Sequence, residues 1–156
     1  MRAYYLGTYF EYEDIELTLA EPPVTCGAPA PGPPESMKEK RIQLSDLVDH
    51  PWASYLWVAY GDSMTGASIH SGDILLIDKY LIPVADDIII AAEANGDPMV
   101  KRLAFENKQP ILLPENPAFK AVRIDPEEGV KVLGVVTYGI HPFRGSSALR
   151  RKLKSS

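Results

Sequence analysis

Residues 22–34 restrict this chain more than any other stretch. They hold Pro22, Pro23, Pro29, Pro31, Pro33 and Pro34, with Gly27 and Gly32. Each proline fixes φ and removes a backbone donor, and Gly-Pro mixtures resist both helix and sheet. The segment therefore reads as an extended, exposed linker, and regular structure must lie before or after it. Such a linker serves as a spacer, and it is also the form in which a protease binds a substrate chain. Cys26-Gly27 sits inside it, followed by the small Ala28.

After the linker the chain reads as short strands. Tyr55-Leu56-Trp57-Val58-Ala59-Tyr60 is the first core strand, broken by Gly61, and Ile74-Leu75-Leu76-Ile77 is a second, buried one. Further strands are expected at 87–94, 98–105, 110–114 and 130–138. Asn95-Gly96-Asp97 is a hairpin signal because these residues tolerate positive φ. A short helix capped by Ser45 is expected at 44–49, and a single helical turn at 64–70. Six strands with few helices predict a mostly-β fold.

Both ends differ from this middle. Residues 1–21 combine Tyr4, Tyr5, Tyr9, Phe10 and Tyr12 with five acids and one base, and Ile15, Leu17 and Leu19 alternate with polar residues as in a short strand. They read as an arm that docks on something or as a loose tail. Residues 144–156 carry Arg144, Arg150, Arg151, Lys152 and Lys154 and no acid, and read as a solvated, disordered end or, alternatively, a contact for nucleic acid or an acidic protein surface. The expected organisation is an arm at 1–26, a linker at 27–43, a β domain at 44–143 and a basic tail at 144–156.

Composition excludes several classes. A net charge of -5 argues against a dedicated nucleic-acid binder. One cysteine permits no internal disulfide and fits a reducing compartment. The densest apolar run, Ile88 to Ala92, is far short of the roughly 20 residues of a membrane span. The N-terminus lacks the apolar core of a signal peptide, so a cytoplasmic location is expected. His50, His70 and His141 are isolated in sequence and Cys26 stands alone, so no metal and no other cofactor is expected. No phosphate-binding glycine loop is present.

Two residues suggest chemistry. Ser63, in Gly61-Asp62-Ser63-Met64, directly follows the Gly-Asp break that ends a strand, which can expose its Oγ on a firmly held backbone. The amides of Asp62 and Ser63 are placed to meet a developing oxyanion. Lys101 lies in Met99-Val100-Lys101-Arg102-Leu103. Strand alternation puts Met99 and Leu103 on its face and Arg102 on the other. Apolar neighbours desolvate an ammonium and lower its pKa, and a neutral lysine can then take a serine's proton. The alternative is an edge lysine whose tip reaches water. Spacing alone does not bring the two together.

These blocks, with Gly72-Asp73-Ile74-Leu75-Leu76-Ile77-Asp78, Asp87-Ile88-Ile89-Ile90-Ala91-Ala92, Leu113-Pro114-Glu115-Asn116 and Val132-Leu133-Gly134-Val135-Val136, resemble the UmuD branch of the LexA/UmuD self-cleaving peptidases. They occur in family order over about residues 24 to 138. The resemblance implies a LexA/UmuD peptidase-like β fold with a flexible N-terminal arm, a homodimer, and a Ser63/Lys101 dyad with the Asp62 and Ser63 backbone as oxyanion donors. It implies self-cleavage at Cys26-Gly27, where LexA repressors generally use Ala-Gly, stimulated by RecA filaments on single-stranded DNA. The cut form would join a UmuC-like error-prone polymerase in translesion synthesis during the SOS response. The chain leaves no room for LexA's DNA-reading helices, so sequence-specific DNA binding is not expected. The tyrosine-rich residues 1–20 and the tail after about 143 are not obviously shared with the family.

Residues 1–26 carry -4 of the net charge of -5. Removing them would lower repulsion toward a partner held on DNA. Competing readings lack their parts. Esterases of the Gly-Asp-Ser-Leu type need a late Asp-x-x-His pair, but His141 follows Tyr138-Gly139-Ile140. Membrane signal peptidases with a Ser-Met and a lysine need an anchor. A non-catalytic module of the same fold that regulates a polymerase remains the alternative.

Overall fold

The computed structural model describes residues 1–8, 16–20, 39–93, 96–124 and 129–143. Ten strands appear in chain order: β1 (Arg2–Thr8), β2 (Glu16–Ala20), β3 (Glu39–Gln43), β4 (Ser54–Tyr60), β5 (Ile74–Asp78), β6 (Ile88–Ala92), β7 (Met99–Glu106), β8 (Gln109–Leu113), β9 (Val122–Arg123) and β10 (Lys131–Ile140). Eight form one antiparallel sheet in the order β1-β4-β5-β10-β6-β7-β8-β9. A bridge between Arg2 of β1 and Met99 of β7 closes six of them into a ring. This is the expected mostly-β fold.

The strand segments are those that the apolar runs select. β5 is buried along nearly its whole length because it lies between β4 and β10. β10 reaches both β5 and β6 by bending at two register irregularities, between Val132 and Gly134 and between Val136 and Tyr138. Ala3, Trp57, Ala59, Met64, Leu75, Ile77, Ile90 and Val100 fill one core cluster. Ile89, Ala91, Leu103, Leu112 and Val135 fill a second. Ile89 and Ile90 serve different clusters because adjacent strand residues face opposite ways.

The turns follow local chemistry. Gly96 donates to Glu93 O at 3.1 Å, as a tight β6–β7 connection requires, while residues 94 and 95 lie outside the described residues. β7 and β8 are joined by Asn107 and Lys108, both at positive φ, which gives the twist a two-residue hairpin needs. The expected helix at 44–49 is a 3₁₀ turn, Leu44–Leu47, and Ser45 does not cap it. Gln43 precedes the turn, and the Gln43 amide donates to the Asp46 carboxylate at 2.9 Å. The turn expected at 64–70 is a 3₁₀ turn at Thr65–Ala67, ended by Ser68 in the left-handed region.

The arm contributes two strands. β1 lies beside β4, with Arg2 opposite Tyr60 and Thr8 opposite Tyr55. At its start, Val100 N donates to Met1 O at 3.0 Å and Ala3 N donates to Pro98 O at 3.2 Å. β2 pairs with β3 as a separate two-stranded sheet, Glu16 opposite Gln43 and Ala20 opposite Glu39. That pair brackets residues 21–38, so Cys26, Gly27 and the proline run fall outside the described residues, as does the tail after residue 143. No helix among the described residues is long and apolar enough to cross a membrane.

Candidate active site

Gly61 ends β4 at φ +95°, a conformation that costs glycine little and other residues more. The turn places Ser63 and Met64 inside, both fully buried, while Asp62 stays exposed; the exposed Oγ expected from the sequence is instead covered by Met1 and Lys101. Lys101 comes from the middle of β7, across the fold. Its Nζ donates to Ser63 Oγ at 2.9 Å. The two residues read separately from the sequence are therefore brought into direct contact, 38 positions apart in the chain.

The lysine is 6% exposed. Of its strand neighbours, Leu103 belongs to the second core cluster and the partly buried Met99 packs against it, as alternation requires. Among the described residues it has no carboxylate partner, and desolvation holds its pKa below the usual lysine value. The Phe119 ring stands 5.9 Å from Nζ and adds only a weak attraction for the cation. An ammonium in this setting gives up its proton more readily than a surface lysine does.

The backbone around Ser63 is held by Glu115 and Asn116. Glu115 N donates to Ser63 O at 2.8 Å, and Gly66 N donates to Glu115 O at 2.7 Å. Asn116 Nδ2 donates to Asp62 O at 2.8 Å. A Cβ on Gly66 would stand 2.4 Å from Glu115 O, so only glycine permits this approach. Arg102, on the opposite face of β7 from Lys101, ion-pairs with Glu115 and donates through Nη1 to Asp86 O at 2.5 Å. Adjacent residues of one strand thus serve the serine in two ways: Lys101 contacts its hydroxyl, and Arg102 fixes the segment that grips its carbonyl.

The amides of Asp62 and Ser63 donate to no main-chain oxygen among the described residues. A second cation also reaches the hydroxyl, since the Met1 α-ammonium donates to Ser63 Oγ at 2.6 Å. Burial, together with the nearby Lys101 charge, lowers the pKa of this amine. The tyrosine-rich arm reads equally as a docking segment or a loose tail, and nothing in the sequence places residue 1 at Ser63. The Arg102–Glu115 pair was likewise not read from the sequence. Its only trace was the presence of both residues in separate blocks of the resemblance.

His50, His70 and His141 are not isolated in the fold. His50 Nδ1 meets Asp78 Oδ2 at 2.5 Å. His70 and His141 gather on Asp73.

A family model described as Peptidase S24-like matches residues 22–137. The protein SamA of Salmonella typhimurium is 36% identical over 137 residues, which cover 87% of this chain and 94% of SamA. The protein MucA of Escherichia coli is 35% identical over 116 residues, covering 72% of this chain and 78% of MucA. A LexA repressor of Oleidesulfovibrio alaskensis is 40% identical over 76 residues, covering 49% of this chain and 36% of the repressor.

Proposed function

Since this chain belongs to the Peptidase S24-like family and is UmuD-like, we propose that it is a self-cleaving serine endopeptidase with Ser63 as nucleophile and neutral Lys101 as general base. The observation that carries the reading is the 2.9 Å contact between a buried lysine and a buried serine hydroxyl. Desolvation of Lys101 supports it, because only the uncharged amine can accept a proton.

The chemistry follows from those two groups. Nζ takes the Oγ proton as Oγ bonds to the Cys26 carbonyl carbon. The amides of Asp62 and Ser63 receive the developing oxyanion. The Lys101 ammonium then protonates the Gly27 nitrogen as the C–N bond breaks. Water, deprotonated by the same lysine, releases the acyl group from Ser63. Met1 must leave Ser63 Oγ before Cys26 can approach, so β1 acts as an occupant of the cleft until the substrate segment replaces it.

Cutting there removes β1 and β2 from the covalent chain along with -4 of the net charge. The remaining product is nearly neutral. In this reading it works as a homodimer in the cytoplasm, is cut in response to RecA filaments on single-stranded DNA, and joins a UmuC-like translesion polymerase in the SOS response. The order of blocks shared with UmuD-like and LexA proteins supports these roles. Incubating the purified chain and identifying the new N-terminus tests the reading. A fragment beginning at Gly27, absent from Ser63→Ala, is expected. An uncut chain after long incubation with and without RecA–DNA would leave a non-catalytic module of the same fold.

A further inference from the structure

The second grouping of reactive side chains lies at one end of β5 and β10. Ile140 pairs with Ile74, so the antiparallel register carries His141 and Asp73 to adjacent positions just beyond the ladder. Asp73 is 2% exposed. Its Oδ2 accepts the His70 amide at 2.8 Å, which fixes the carboxylate, and its Oδ1 meets His141 Nδ1 at 2.5 Å. His70 Nδ1 lies 3.9 Å from Oδ2. The two imidazoles stand edge to face, 5.3 Å between centroids. One donor atom from each of the three residues lies within 4.8 Å of the others.

From this geometry we infer that His70, Asp73 and His141 form a binding site for a divalent transition metal, with zinc as the best match. Two imidazoles and one carboxylate suit zinc, and they suit magnesium or calcium poorly because those ions prefer all-oxygen shells. Zinc sits about 2.0–2.2 Å from such donors, which places them roughly 3–3.5 Å apart. The carboxylate is already fixed. The two imidazole side chains are 51% and 45% exposed and turn by the small amount that contraction requires. A metal bound to His141 Nδ1 would replace the contact that this nitrogen makes with Asp73 Oδ1. Exposure leaves a further coordination position open to water.

The bound metal would tie the end of β10 to the loop that follows Ser63. Asp73 O accepts from Ala59 N at 2.9 Å, and Ile69 N donates to Met64 O at 3.2 Å, so both ends of that loop are anchored to the serine's surroundings. The competing reading is a buried carboxylate satisfied by its histidines alone.

Titration calorimetry on the full Ser63→Ala chain, freed of metal by chelation and titrated with zinc sulfate, separates the two. One equivalent of zinc is expected to bind and to raise the thermal midpoint. His70→Ala and His141→Ala should each weaken binding by about tenfold or more. His50→Ala and Cys26→Ser should leave it unchanged. Absence of stoichiometric binding overturns the site. So does binding that survives in the His70→Ala/His141→Ala double variant, or binding lost with His50→Ala or Cys26→Ser.

Discussion

Lys101 and Asp73 are both nearly sealed from water, at 6% and 2% exposure, yet the fold surrounds them in opposite ways. Asp73 has two imidazoles and a backbone amide around its oxygens. Lys101 has a serine hydroxyl, an aromatic ring and apolar neighbours, and a second ammonium shares that same hydroxyl. A buried charge without a counter-ion is costly, and the least costly response is to become neutral. The contrast therefore separates a group prepared to lose its charge from one whose charge is satisfied. The first is suited to proton transfer and the second to holding something positive.

Five substitutions would break or sharpen this contrast. The largest effect is expected at the dyad. Ser63→Ala should abolish self-cleavage, and Lys101→Ala should slow it about 10²–10⁴-fold, the usual share of a general base. Intact-mass spectrometry over time reads both, and a Lys101→Ala chain that cuts at the normal rate would remove the lysine from the chemistry. Next is Gly66→Ala, whose Cβ would press into Glu115 O. It should destabilise by about 1–3 kcal/mol in urea unfolding and also slow cleavage. Unchanged stability there would mean that Glu115 and Asn116 do not grip the serine turn as described.

Asp73→Asn should cost about 1–3 kcal/mol, because a charge-assisted bond to His141 is lost at a buried site. Lys101→Met should do the reverse and stabilise by about 1 kcal/mol, since it removes a desolvated charge and keeps the volume. The sign with pH follows. A base whose folded pKa is lowered binds fewer protons folded than unfolded, so the penalty is full below the folded pKa. It fades as pH rises from there toward the unfolded value. The stability advantage of Lys101→Met over wild type should thus shrink on the alkaline side. If both substitutions destabilise equally at neutral pH, the distinction between the two buried charges fails.

Much of the frame was legible beforehand because apolar runs and turn residues act locally. Tyr55–Tyr60 and Ile74–Ile77 became β4 and β5 within a residue at the ends. Asn107-Lys108 was harder to read, since lysine is a rare choice at positive φ and lacks the glycine that marks such hairpins. Ser63 and Lys101 were visible only as separate oddities, a serine after a strand break and a lysine amid apolar residues. Their contact depends on strand order, which no local pattern encodes. His70, Asp73 and His141 escaped for the same reason, because β10 must return beside β5 before residue 141 meets residue 73. The insertion of β1 beside β4 and β7 was hidden by a composition equally suited to a loose tail.

The most direct test of the central claim is the pH dependence of self-cleavage by the purified chain without RecA. The rate should climb with pH as the neutral fraction of Lys101 grows and level off once that amine is fully deprotonated, and the fragment should start at Gly27. Lys101→Ala should lose the titration along with most of the rate. Cleavage that is flat across pH, or that keeps the same profile without Lys101, would contradict it.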